Sequence, residues 1–356
     1  MESMVNFWQG KKVFITGHTG FKGGWLSFIL HKLGAKVTGY SISIPTDPSF
    51  FEVANIADKL NHNIGDIRDY DLLSKSIDQA NPDIVFHMAA QPLVRHSYSD
   101  PIETYSTNVM GTVNLLEIVR TRKNIAATIV VTTDKCYENK EHIYAYREND
   151  RLGGHDPYSN SKACAELVVS CYLQSYFAKQ DIGGIASVRA GNVIGGGDFV
   201  QSRLVPDIIR NLSKDSAPII RSPNSIRPWQ HVLEPLSGYM KAAQSIYNNK
   251  LHEEAAWNFG PDYTSEVPVH EIANMICDIW QTNVKPNIVE DAVLHEAKLL
   301  ALDSTKARQE LNWLPKWNIE QALNKTVEWY KTYYQNGEIE KITHNQIEEY
   351  FNIKGK

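Results

Sequence analysis

Cysteine is scarce in this sequence: the chain of 356 residues has four, Cys136, Cys164, Cys171 and Cys277, and none belongs to a CxxC or CxH cluster. They are too few and too scattered to staple a fold or hold zinc, so free thiols in a reducing compartment and no metal are expected. An excess of either charge is also lacking. Lys and Arg total 36 against 41 Asp and Glu, a net charge of -5, and no basic stripe is interleaved with aromatics. Nucleic acid and anionic membranes are thereby excluded as bulk partners. No apolar run approaches the ~20 residues that span a bilayer. The opening stretch, MESMVNFWQGKK, reaches a strand without an apolar leader, and the expected location is the cytoplasm.

What is present suits an ordinary globular protein. Hydrophobic residues make up 42% and charged residues 22%, enough for a core without disulfides or metals. At roughly 150 residues per domain the length predicts about two domains. Lys12–Thr16 (KVFIT) reads as a buried first strand, and Phe21, Trp25, Phe28, Ile29 and Leu33 then follow helical spacing. Strands at Ala35–Ser41, at a run ending Ile64–Asp66, at Asp83–Ala90, at Ala127–Thr132 and around Ile185–Val188 alternate with helices over Tyr70–Ile77, Tyr105–Arg120 and Tyr158–Phe177. This rhythm predicts an α/β fold, a parallel sheet flanked by helices. Past Gly195 it loosens into a smaller mixed region, with Trp257–Phe259 returning to the sheet. The expected units are a nucleotide-binding domain over 1–190, a substrate domain over 191–340 interleaved with it, and a polar, loosely packed tail over 341–356.

The first strand runs into Gly17-His18-Thr19-Gly20-Phe21-Lys22-Gly23, with glycines spaced GxxGxxG. Glycines alone are weak evidence. A strand before them and an amphipathic helix after them supply the context of a dinucleotide loop, in which a pyrophosphate sits on the helix N-terminus. The acidic ribose ligand expected about 20 residues on is missing, since the second strand ends in Tyr40-Ser41. No arginine there favours a 2'-phosphate, and NAD is the expected cofactor. Asp66 is expected to meet the adenine, the alternative being a turn carboxylate.

Tyr158 and Lys162 stand four residues apart on a predicted helix that begins at Pro157, and so share a face. A cation beside a phenol favours the phenolate, which can take a hydroxyl proton. The glycine loop together with this YxxxK pair resembles the extended short-chain dehydrogenase/reductase superfamily, in its nucleotide-sugar-modifying branch. Met88-Ala89-Ala90-Gln91 and Asn108 resemble further landmarks of that branch. The resemblance implies a modified Rossmann fold with a smaller C-terminal domain for the sugar nucleotide. It also implies self-association as a homodimer or homotetramer through helices near Tyr105–Arg120 and Tyr158–Phe177. Cofactor contacts would fall to Gly17, Thr19, Gly20, Phe21, Lys22, Gly23, Tyr40, Asp66, Ile67, Ala89, Ala90, Tyr158 and Lys162.

The fifth strand ends in Thr132-Thr133-Asp134-Lys135. A hydroxyl beside the tyrosine serves an epimerase or a simple reductase, but two further ionisable groups suit elimination of water. In the branch's 4,6-dehydratases the triplet is commonly Thr-Asp-Glu. Thr-Asp-Lys here, with GHTGFKGGWL, AAQPLVRHSY and RPWQHVLEPL, resembles the members that act on CDP-glucose. That likeness implies C4 oxidation assisted by Tyr158, C5 deprotonation by Lys135, protonation of the leaving C6 hydroxyl by Asp134, and hydride return to C6. An unperturbed lysine titrates at about 10.4, so Lys135 needs a lowered proton affinity to act as base; otherwise it steadies the enolate. For the substrate, Arg227 and Arg203 offer forks for a diphosphate, and Asn192, Gln91, His96, Trp229 and His231 are candidates. For Trp229, packing is the competing reading; for His231, an internal hydrogen bond; for His96, loop anchoring. Competing functions are another nucleoside-diphosphosugar 4,6-dehydratase, a 4-epimerase that leaves Asp134 and Lys135 idle, and a non-catalytic NAD-binding scaffold.

Overall fold

The computed structural model describes residues 4–179, 182–249, 255–289 and 299–353. Short β-branched and apolar runs form a seven-stranded sheet: β1 (Lys12–Thr16), β2 (Lys36–Ser41), β3 (Asn61–Ile64), β4 (Ile84–His87), β5 (Ala127–Val131), β6 (Gly184–Ala190) and a seventh strand, Ala256–Phe259. Every pairing is parallel, and from one edge the order is the seventh strand, β6, β5, β4, β1, β2, β3. Every side chain of β4, β5 and β6 is buried. Parallel strands covered by helices on both faces need continuous apolar runs of this kind. β1 lies between β2 and β4, so successive connections leave it in opposite directions. Such a switch point opens a crevice at the carboxyl ends of the strands, where ligands of open α/β sheets bind. Gly17, Ala89 and Thr133 all follow strand ends on this side.

The second half of the chain closes over that crevice. The seventh strand pairs Ala256 with Ser187 and Phe259 with Ala190, returning to the sheet as Trp257–Phe259 predicted. Val193–Ile194 pairs with Gln230–His231, and Ile226–Pro228 pairs antiparallel with Glu266–Pro268. These small ladders hold the RPWQH string beyond the end of β6. Helix Leu233–Asn249 packs against β5 and β6, and Trp25, Trp257, Trp313 and Trp329 are fully buried.

Several details differ from the sequence reading; the fourth strand, for one, ends at His87, short of the expected Ala90. The third strand ends at Ile64, because the Asp66 carboxylate accepts the Arg68 backbone N–H at 2.8 Å and turns the chain. The segment expected to be a loose tail is helix Ile339–Phe351, with Thr343, Ile347 and Tyr350 buried. Tyr350 donates to Glu234 Oε2 at 2.6 Å, and Lys32 pairs with Glu348 at 2.7 Å. Its buried face recurs every three or four residues but is half polar, so the hydrophobic pattern is faint.

Candidate active site

The glycine loop is built on close approach. Gly17 has φ +78, and a Cβ there would stand 2.6 Å from Ala89 N; one on Gly23 would stand 2.1 Å from Gly17 O. Gly17 N–H donates to Tyr40 O at 2.8 Å, tying the loop to β2. Helix Phe21–Lys32 starts at Gly20 with no side-chain cap, which leaves its positive end open to an anion. Thr19 spends its hydroxyl on Ser43 O at 2.7 Å. Where a ribose carboxylate is missing, Ser41 Oγ bonds His18 Nδ1 at 2.8 Å, and His18 Nε2 meets His62 Nδ1 at 2.6 Å. Burial, then the neighbouring His62, brings His18 down to about 3, so it is neutral.

The remaining cofactor candidates divide. Ala89 follows β4 with its N–H on Thr16 Oγ1 at 3.2 Å, and it and Ala90 stay partly exposed at the crevice. Tyr40 is different. Its ring is fully buried and its hydroxyl donates to Asp66 O at 3.0 Å, so it faces the core. Asp66 gives its carboxylate to Arg68 at 2.6 Å, and Ile67 packs over Gly111.

The catalytic candidates meet at the end of β5. Thr133 is buried; its hydroxyl donates to Asp134 Oδ1 at 2.9 Å and it lowers the proton affinity of the Tyr158 phenol. Asp134 begins a short turn, Asp134–Cys136, that Thr133 caps. Its carboxyl is 3% exposed and Oδ2 has no partner among the described residues. Burial pushes its proton affinity up; Lys135, Thr133 and Arg227 oppose this. The Lys135 side chain is partly exposed beside it.

Tyr158 occupies the first turn of helix Pro157–Tyr172, fixed by Pro157 and by Asp156, whose side chain accepts the Ser159 N–H. Burial raises its phenol to about 12, against the pull of Thr133. Lys162, one turn on, donates to Val131 O at 3.2 Å. Burial, then Lys22, lowers it to about 8.

On the opposite wall, Arg227 is buried and acts electrostatically on Asp134, while Arg203 pairs with Asp198 at 2.9 Å and acts on Tyr158. Asn192 stands between β6 and the small ladder, its carbonyl accepting from Gln230 N. Four other substrate candidates are committed elsewhere. Gln91 is folded into its own turn, donating to Thr104 Oγ1 at 2.8 Å and accepting from Leu93 N at 2.6 Å. His96 pairs with Glu103 at 2.6 Å. Trp229 is buried with its indole N–H on Val267 O, and His231 is fully buried between Trp25 and Trp317. Asn108 explains the fixed position of Gln91, since its amide bonds both backbone groups of that residue and Ser161 Oγ.

The sequence reading missed two features. The Lys22 side chain, 5.9 Å above the Tyr239 ring, acts electrostatically on Lys162. Behind the cluster, Glu166 accepts hydrogen bonds from Thr132, Ser187 and Arg189. The four-residue spacing of Lys162 and Glu166 was the available signal. Among the described residues no group of three or more His, Cys, Asp or Glu is placed to hold a metal.

Comparison with known proteins agrees with this geometry. The family model described as GDP-mannose 4,6 dehydratase matches residues 14–326. A CDP-glucose 4,6-dehydratase of Salmonella typhimurium is 50% identical over 349 residues, covering 97% of each chain. A dTDP-glucose 4,6-dehydratase of Xanthomonas campestris is 26% identical, covering 89% of this chain and 92% of that one. The fold matches the structure of a Bacillus anthracis dTDP-glucose 4,6-dehydratase in complex with NAD at TM-score 0.75, with 24% identity over 91% of this chain and 98% of the other. With the family's signature running from β1 into the helix Ile319–Tyr334, the chain belongs to the GDP-mannose 4,6 dehydratase family.

Proposed function

We propose that the protein removes water from CDP-glucose, forming CDP-4-dehydro-6-deoxy-glucose. One observation carries the reading. Thr133 donates to Asp134 Oδ1 at 2.9 Å and lowers the proton affinity of the buried Tyr158 phenol, and Asp134 keeps a buried oxygen without a partner among the described residues. A 4-epimerase needs the tyrosine and the hydroxyl, but has no use for a buried carboxyl beside them. The base preference is supported by the Salmonella relative, identical at half of its aligned positions and named for CDP-glucose.

The residues fit NAD. The glycine loop has no room for side chains at Gly17 and Gly23, its helix end is uncapped, and Lys162 stands on the same helix face as Tyr158. Bound NAD would supply reversible hydride transfer, accepting from C4 and giving back to C6. The protein's own groups move the protons. Tyr158 accepts the C4 hydroxyl proton, with Lys162 stabilising the phenolate. The C4 ketone acidifies C5, whose proton passes to Lys135. Asp134, whose proton affinity burial raises, donates to the C6 hydroxyl as it departs. Arg227 and Arg203 suit the diphosphate.

Two further parts of the reading concern assembly and location. Exposed Ile102, Met110 and Leu167 lie on the helices expected to mediate self-association, and light scattering of the purified chain reads dimer or tetramer against monomer. Free Cys136, Cys164, Cys171 and Cys277 suit a reducing compartment, the cytoplasm. The decisive experiment is parallel incubation with CDP-, dTDP-, UDP- and GDP-glucose, with products separated by mass. Loss of one water from CDP-glucose alone is expected. Equal turnover of dTDP-glucose overturns the base preference, and a product of unchanged mass favours an epimerase.

A further inference from the structure

Asp134 is held from two sides. Oδ1 accepts the Thr133 hydroxyl at 2.9 Å. The proton that Asp134 carries as an acid therefore belongs on Oδ2, the buried oxygen with no partner among the described residues. The wall on that side comes from two residues distant in sequence. A Cβ built on Gly191 would stand 3.1 Å from Asp134 Oδ2 and 2.7 Å from Pro228 Cγ. Gly191 follows the end of β6, and Pro228 ends the short strand Ile226–Pro228, next to Arg227. Gly191 does not lie in the left-handed region, so space rather than backbone conformation calls for glycine here. That space is filled by the carboxyl oxygen and by a proline ring, which is tied to its own backbone and cannot swing aside.

We infer that Gly191 and Pro228 are positioning residues for the acid step: together they form a carbon-lined seat that fixes Asp134 Oδ2 and keeps hydrogen-bond donors away from it. The inference rests on Asp134 being the acid. A carboxyl keeps its proton where donors are few, because an N–H or O–H aimed at it stabilises the carboxylate. Glycine brings no side chain, and proline brings ring carbons and no N–H. Burial raises the proton affinity of Asp134, against the pull of Lys135, Thr133 and Arg227.

In the step itself the C5 proton passes to the base and the electron pair left behind forms the C5=C6 bond. The C6–O bond breaks onto oxygen, which takes the Oδ2 proton and leaves as water. An acid pushed off its seat would meet the departing hydroxyl out of line, and such misplacement is costly in rate.

A substrate that needs no acid separates this role from general damage. In CDP-6-deoxy-6-fluoroglucose the C6–F bond breaks to give fluoride, which leaves without a proton. C4 oxidation, C5 deprotonation and hydride return are the same as for CDP-glucose. Asp134→Asn sets the scale: water loss should collapse and fluoride release should persist. Gly191→Ala should lose water on the order of tenfold more slowly, build up a CDP-4-ketohexose that keeps its C6 hydroxyl, and release fluoride at close to the wild-type rate. Pro228→Ala removes the ring and adds an N–H, and should show the same split; it carries the test if Gly191→Ala does not fold. In the double variant Gly191→Ala/Pro228→Ala the new methyl takes the room the ring has left, so water loss should recover above that of Gly191→Ala.

Variants at 191 and 228 that slow water and fluoride release equally, or leave both unchanged, overturn the inference. So does a double variant slower than Gly191→Ala, or fluoride release that falls with water loss in Asp134→Asn. A wild-type protein that releases neither water nor fluoride would instead sink the dehydratase reading.

Discussion

Arg189 and Glu166 form an ion pair behind the catalytic strand end, with Nη2 2.6 Å from Oε2 and side chains 4% and 2% exposed. Glu166 also accepts the Ser187 hydroxyl at 2.6 Å and the Thr132 hydroxyl, and Arg189 donates to the Tyr137 hydroxyl at 2.6 Å. The pair therefore fixes the end of β5 and the helix turn carrying Lys162 from one place. Removing one partner of such a pair leaves a buried charge alone. Arg189→Met should cost about 3–5 kcal/mol in denaturant unfolding, and the double variant Glu166→Gln/Arg189→Met should cost less. If the double variant is the worse of the two, the pair is not what holds this region.

Gly20 separates packing from ligand contact. Its φ is -74, and a Cβ there would meet only Gly17 O, at 3.4 Å. Gly20→Ala should fold normally, losing no more than about 1 kcal/mol of capping energy. If a pyrophosphate lies against this backbone, NAD affinity measured by fluorescence quenching should fall about tenfold or more. Undiminished affinity would place the dinucleotide elsewhere.

Lys135 and Asp134 should separate by isotope. In deuterated water the product should carry deuterium at C5, and Lys135→Met should slow turnover and C5 labelling together. Asp134→Asn should reduce water loss about 100-fold or more while C4 oxidation continues. C5 labelling in Lys135→Met at the wild-type rate removes Lys135 as the base.

His231 sits edge-on to Trp25 and Trp317, with Nε2 buried and unpartnered among the described residues. Burial, then Lys325, lowers its pKa from 6.5 to about 3. The folded state thus binds fewer protons than the unfolded state between those values. Its contribution is intact above 6.5 and drains away as the pH falls toward 3, by up to about 1.4 kcal/mol per pH unit. His231→Phe should match the wild type near neutrality and be the more stable of the two at pH 5. An unchanged acid slope would mean that this imidazole does not titrate on unfolding.

The sequence made the nucleotide loop and the Thr133, Asp134, Tyr158 and Lys162 cluster legible because each depends on local spacing: glycines on a strand-to-helix turn, a triplet on a strand end, a pair on one helix face. Residues whose role depends on distant partners were not legible. Gln91 and His96 belong to a string that looks like substrate-binding material, yet Thr104 and Glu103 on the next short helix absorb both side chains. For Trp229 and His231 the string leaves substrate contact and an internal role both open, and the partners that bury them, Val267 and Trp317, come from elements made later in the chain. Lys22 was assigned to the loop where its backbone lies, because nothing near it in sequence reveals that helix Leu233–Asn249 presents Tyr239 to its ammonium.

The placement of strand Ala256–Phe259 bears on biosynthesis. Among the described residues it alone covers the outer edge of β6, and it emerges from the ribosome long after Gly184–Ala190. In that interval a strand buried on both faces offers unpaired backbone groups to any neighbouring nascent chain. Folding of the first half is thereby coupled to completion of the second, and a fragment stopped at residue 190 would be prone to aggregate rather than serve as an independent module.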